Sequence, residues 1–235
     1  MRLFAPGAWN MTGDANGSLH GLVSAYLRRR YRVLFYMLLL TLVTAPVFSA
    51  LKLSGTLMEA LLAFSLVAAI MPVHGVRSRR AMLAVMMAVW LARPVTAWLE
   101  HRTLSAMTLG IWTLIGLLAA AAALRFAMGA TQVDSEHLYA ALSAYLLAGI
   151  YFGLLFWVLE QMNTGTFAFT GEFLQSSAIY FSFVTLATLG YGDIVPRADV
   201  ARGLAIVEGI GGQLFLAVLV ARLVSLYSKS GNQSS

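Results

Sequence analysis

Residues 188–193 read Thr188-Leu189-Gly190-Tyr191-Gly192-Asp193, and their chemistry is that of oxygen ligands for a cation. A row of backbone carbonyls turned toward one axis can replace an ion's hydration shell. Thr188 offers a hydroxyl as well as a carbonyl. Gly190 and Gly192 lack a Cβ and so reach backbone angles that other residues avoid, which lets successive carbonyls face one line. Leu189 contributes its carbonyl, while the Tyr191 ring turns outward to brace the loop. Asp193 adds a carboxylate at the mouth, where it concentrates cations. Other chemistries are poorly provided for. The chain has no cysteine, hence no disulfide and no thiolate metal site. The four histidines, His20, His74, His101 and His137, are scattered and are read as interfacial. Glu59 and Glu208 fall on separate helices, and no Ser/His/Asp arrangement is present. The chain is therefore not read as an enzyme, and it implies no cofactor beyond a permeant ion.

The elements that must position this loop are apolar helices. The chain is 60% hydrophobic and 11% charged, the composition of an integral membrane protein. Hydrophobic runs near 31–51, 56–73, 81–99, 103–126, 137–160 and 200–225 are each long enough to cross a bilayer. Between the last two, Leu174–Ala187 is too short to span and reads as a re-entrant helix leading into the loop. Non-helical backbone at membrane depth survives only inside protein or along a water-filled path, so residues 188–192 need that protection. The expected fold is an all-α membrane protein of six spanning helices.

Helix, re-entrant helix, TLGYGD loop and helix, in that order over residues 137–227, resemble the potassium-channel pore family. The resemblance implies a K+ selectivity filter formed by Thr188, Leu189, Gly190, Tyr191 and Gly192, with K+ bound at Thr188 through Tyr191 and Asp193 at the mouth. One filter segment per chain implies a homotetramer around a fourfold axis. Tyr180 and Phe181 stand where relatives carry a cuff of aromatics around the filter; simple packing is the other reading. Val184 occupies the position of an acid that in some relatives bonds the aspartate after the filter, so Asp193 needs another partner or stays solvated. Gly212 matches a gating hinge, with Gly209 and Gly211 beside it, although small residues also serve close helix packing. By the same alignment Gln213 faces the cavity below the filter. Leu216 and Val220 follow at i+3 and i+7 and form a candidate hydrophobic gate.

Glu208 is an ionisable group inside a membrane helix, which must be paired or neutralised. Its expected place is against the back of the re-entrant helix near Ser182 or Thr185. Glu160 and Glu172 are read as solvated acids that could add to a negative rim. Glu59 and Arg93 are expected to pair across the second and third spans.

The net charge is +6, and the placement of the basic residues accounts for it without a nucleic-acid partner. Of sixteen Lys and Arg, eleven fall on one side of the spans: Arg2, Arg28, Arg29, Arg30, Arg32, Arg77, Arg79, Arg80, Arg125, Arg222 and Lys229. Lys52, Arg102, Arg197 and Arg202 fall on the other, and Arg93 lies within a span. The positive-inside rule then puts both termini in the cytoplasm of a multi-pass plasma-membrane protein, with Asp193 outside. Residues 1–30 form a cytoplasmic segment, and the first span is not read as a cleaved signal peptide. Residues 31–127 form a four-helix module, 128–136 a cytoplasmic linker, 137–227 the pore domain and 228–235 a polar tail. The fourth span lacks a ladder of arginines, so the module is read as a scaffold, or as a surface for a gating lipid or protein, and not as a strong voltage sensor. The compact plan is similar to small prokaryotic channels. Two transport alternatives remain: a subunit of a coupled potassium transporter, a class that repeats a degenerate loop four times in one chain, and a weakly selective cation channel.

Overall fold

The computed structural model describes residues 29–44, 62–67, 80–81, 83–85, 87–88, 91, 102–129 and 134–231. The expected Glu59–Arg93 pair, the leader, and most of the spans near 56–73 and 81–99 lie outside the described residues. Four complete helices follow: α1 (Arg102–Met128), α2 (Ser135–Met162), α3 (Gln175–Leu186) and α4 (Asp199–Gly231). Among the described residues, three helical stretches are long and apolar enough to cross a membrane: Leu104–Met128, Ser135–Met162 and Asp199–Ser225.

α1 and α2 pack as antiparallel neighbours because the link between them is short. Arg125 in the last turn of α1 and Glu136 in the first turn of α2 each complement the local end of the helix dipole. The core between them takes in the helical segment 29–44 through Tyr31, Leu34 and Leu38, and segment 62–67 through Leu62 and Leu66. Tyr31 stacks on Phe126 at 4.7 Å, and Phe126 stacks on His137 at 4.5 Å. The Tyr31 N–H donates to Glu136 Oε2 at 3.2 Å. These contacts fix segment 29–44 to the end of α1 and the start of α2, and His137 is part of that packing.

α2 is also the platform for α3. A Cβ on Gly149 would lie 2.5 Å from the Phe183 ring, and one on Gly153 would lie 2.5 Å from the Ile179 Cα. The two glycines are four apart, so both open the same face of α2 and let α3 approach backbone to backbone. α4 lies against α3 and runs antiparallel to α2, with only 11% of its most apolar stretch buried within the chain.

Two departures from the sequence reading concern the ends of elements. The fold is not purely helical: β1 (Phe167–Ala168) pairs antiparallel with β2 (Val195–Pro196), Phe167 opposite Pro196 and Ala168 opposite Val195. Strands of two residues carry no readable periodicity. Their bonds, with Arg197 N–H and Ala198 N–H donating to Thr166 O at 2.8 and 3.2 Å, zip the chain before α3 to the chain after the loop. α4 also continues to Gly231, into the segment read as a polar tail.

Candidate ion-conduction site

α3 ends where the TLGYGD loop begins, and the join explains the loop's first backbone angle. Leu189 N–H donates to Val184 O at 2.8 Å, and Thr188 N–H donates to Thr185 O at 3.0 Å. This pair of bonds is the helix terminator that places the residue after the C-cap in the left-handed region. That residue is Thr188, with φ 56°, where most helices would use glycine. A β-branched residue there is strained, by roughly 1–3 kcal/mol for such outliers. Nothing in the residue type alone announced it.

Gly190 and Gly192 follow with φ 60° and 79°, and Thr188 is the only other loop residue with positive φ. Left-handed backbone at 188, 190 and 192 therefore alternates with ordinary backbone at Leu189 and Tyr191. Peptide planes that flip in this way turn their carbonyls to a common side, whereas a regular strand alternates them. All five residues are exposed on the single chain.

Each neighbour of the loop has a distinct job. Tyr180 stacks on Tyr191, the rings 6.5 Å apart and 9° from parallel. The Tyr180 hydroxyl is also an electrostatic neighbour of the Asp193 carboxylate, on a helix where Val184 offers no polar group. Asp193 Oδ1 accepts a hydrogen bond from Ile194 N–H at 3.1 Å. Phe181 packs elsewhere. Its ring meets Phe156 at 5.0 Å and Phe167 at 5.3 Å, in an aromatic cluster that holds α3 to α2 and β1. The support it gives the loop is indirect.

Gln213 stands below the loop, and its side-chain amide donates to the Thr188 hydroxyl at 3.4 Å. Leu216 and Val220 follow on α4, both exposed on the single chain. α4 is unbroken through Gly209, Gly211 and Gly212. Of these Gly212 is the buried one, packed against the end of α3.

Glu208 is 1% exposed and lies where the sequence expected it, against α3, hydrogen-bonded through Oε1 to the Ser182 hydroxyl. Glu160 requires a correction. It is buried, not a solvated rim acid: Oε1 accepts from Gly165 N–H at 2.8 Å and Oε2 accepts from Phe167 N–H at 3.0 Å. A carboxylate at the end of α2 satisfies the donors of the turn that leads to β1, so burial is compensated. Glu172 is exposed, as expected.

Comparison with known proteins shows what this arrangement is similar to. Residues 141–229 match the family model described as "Ion channel". This region is similar to potassium-channel pores. The chain is 46% identical over 59 residues to two-pore potassium channel 4 of Arabidopsis thaliana, a match covering 25% of this chain and 21% of that protein. It is 30% identical over 77 residues to small conductance calcium-activated potassium channel-like protein 3 of Caenorhabditis elegans, covering 30% of this chain and 11% of that one. The chain thus matches about a fifth or less of these relatives' own lengths. No solved structure matches it. Within the pore module, sequence reasoning missed the Gly149–Gly153 seat for α3 and the carboxylate clamp of Glu160. The four-residue glycine spacing on an apolar helix was a usable signal for the first.

Proposed function

We propose that this protein is a K+-selective channel that conducts passively through a homotetrameric pore in the plasma membrane, with both termini cytoplasmic. The observation that carries the reading is the alternation of backbone hand at Thr188, Gly190 and Gly192 at the end of a short buried helix. Such a loop presents a column of carbonyls, and one protomer supplies only one wall of it. Four are needed to close a ring of ligands at the size of a dehydrated cation. α4 supports the same reading, since it leaves Ile206, Val207 and Ile210 uncovered beside the loop. The C-terminal end of α3 contributes a partial negative charge of about half an elementary charge toward the cavity below, which favours a cation there. No bond is made or broken in conduction, and neither nucleic acid nor an organic cofactor takes part.

The deciding measurement is the reversal potential of the reconstituted protein under bi-ionic K+/Na+ conditions. A large shift on replacing K+ by Na+ is expected, together with block by barium. A shift near zero would instead make it a weakly selective cation channel. Flux that requires a second, co-transported ion would make it part of a coupled transporter.

A further inference from the structure

Behind the loop, three groups from three helices meet at one hydroxyl. Ser182 Oγ on α3 lies 2.6 Å from the Gly149 carbonyl oxygen on α2, and it is also hydrogen-bonded with Glu208 Oε1 on α4. A serine hydroxyl carries one proton, and a carbonyl carries none. The proton between Ser182 and Gly149 must therefore be the serine's own. The proton between Ser182 and Glu208 must then belong to the carboxyl group. An ionised Glu208 would need the same serine proton and would leave two oxygen atoms 2.6 Å apart with nothing between them.

The surroundings agree. Glu208 Oε2 is buried and has no hydrogen-bond partner, a costly state for a charged carboxylate. The side chain borders a cavity of about 340 Å3 whose α1 wall is Leu117, Ala120, Ala121 and Leu124. From α2 the titratable group facing it is Tyr145, another acid, and from α3 its hydrogen-bond partner is Ser182. Among the described residues that line the cavity there is no basic residue to neutralise it.

We propose that Glu208 is a proton-binding site that locks the re-entrant helix to α2 and α4. With the proton bound, Glu208 donates to Ser182 and Ser182 donates to Gly149. When the proton leaves, the serine O–H turns to donate to the carboxylate, and the Gly149 carbonyl loses its donor. Proton release thus removes one hydrogen bond between α3 and α2 and places a charge behind the filter. The locked state is present at low pH and is lost as pH rises through the titration of this site.

Infrared difference spectra of the purified protein test the proton directly. At neutral pH the wild-type chain is expected to show a protonated-carboxyl stretch that Glu208→Gln lacks. Coincident spectra in that region would overturn the proposal. Ser182→Ala is the second variant if the first fails to fold: it removes the acceptor, so the same band should move to the frequency of an unbonded acid, and an unmoved band would also overturn it. The role in coupling rests on the channel reading and is tested by K+ flux in liposomes. Wild-type flux should fall at alkaline pH and flux through Glu208→Gln should not; equal alkaline loss in both would refute the coupling. Absence of flux at every pH would count against the channel reading, while the spectra still report on the proton.

Discussion

A Cβ on Gly212 would lie 2.5 Å from the Leu186 carbonyl oxygen, closer than real side chains come to a backbone atom. Of the two readings open for this glycine, hinge or packing, this contact supplies a complete reason for the second. Gly209, three residues earlier, would bring a Cβ no nearer than 3.8 Å to Thr185 O. Gly212→Ala is therefore expected to lower thermal stability by about 1–3 kcal/mol, the usual cost of overpacking. Gly209→Ala should be neutral or stabilising by up to about 1 kcal/mol, since alanine is the better helix former. Melting curves of the purified variants check the pair, and the reverse order would mean that α3 and α4 are not seated as described.

Glu160 yields a prediction of a different kind. Glu160→Ala leaves two amide donors, Gly165 N–H and Phe167 N–H, without their acceptor. An unmet buried donor costs about 1–3 kcal/mol, so a loss of at least that size is expected. Glu172→Ala, at an exposed site, should change stability by less than about 0.5 kcal/mol. Equal effects in thermal unfolding would return Glu160 to the rim.

The contrast between these two acids shows what the sequence could and could not disclose. Leu174–Ala187 was legible as a short helix because apolar residues ended at a glycine-rich loop, and α3 occupies Gln175–Leu186 with those two residues as its caps. Glu208 was legible because a lone acid in an apolar helix must find a partner, and the adjacent helix offered few. Glu160 follows an apolar helix and precedes a polar loop, the setting of an ordinary surface charge. Its burial depends on a turn that folds back over it, and that turn depends on two-residue strands that leave no pattern. The strain at Thr188 was hidden for a similar reason: it arises from how α3 terminates, whereas threonine in the loop already had a sufficient explanation as an ion ligand.

That strain is itself testable. Thr188→Gly removes the penalty of a β-branched residue at φ 56° and is expected to stabilise the fold, by about 1 kcal/mol, while it deletes the hydroxyl. Thr188→Ser keeps the hydroxyl. Stability should therefore rise in the glycine variant while K+ over Na+ preference falls, and the serine variant should retain the preference. Unchanged selectivity in Thr188→Gly would show that the hydroxyl is not an ion ligand.

Gln213 and Leu214 are adjacent in sequence and point to different surroundings. Gln213 reaches the Thr188 hydroxyl, whereas Leu214 borders a separate apolar cavity with Leu124 and Val218. A quaternary ammonium blocker applied from the cytoplasmic side should lose or gain affinity when Gln213 becomes Ala. The same blocker should respond much less to Leu214→Ala. Equal shifts at both positions in concentration–block curves would mean that α4 is rotated from the orientation described.

The helix that would carry gating charge in a strongly voltage-dependent channel is α1, the fourth span of the sequence reading. Its only basic residues are Arg102, at its first position, and Arg125, in its last turn. A charge that crosses the whole field contributes about 2.3 kcal/mol per 100 mV, so steep gating needs several charges per subunit within the membrane. Arg125 is exposed at the helix end, where a long side chain reaches the headgroups without crossing any field. α1 is moreover packed into a shared core with α2 through Trp112, Ile115 and Ala119, which ties it to the pore module. Open probability measured in symmetrical K+ is therefore expected to vary only shallowly with voltage. An opening curve that requires several elementary charges per subunit would show that a charge-bearing element moves through the field, and α1 as described here could not be that element.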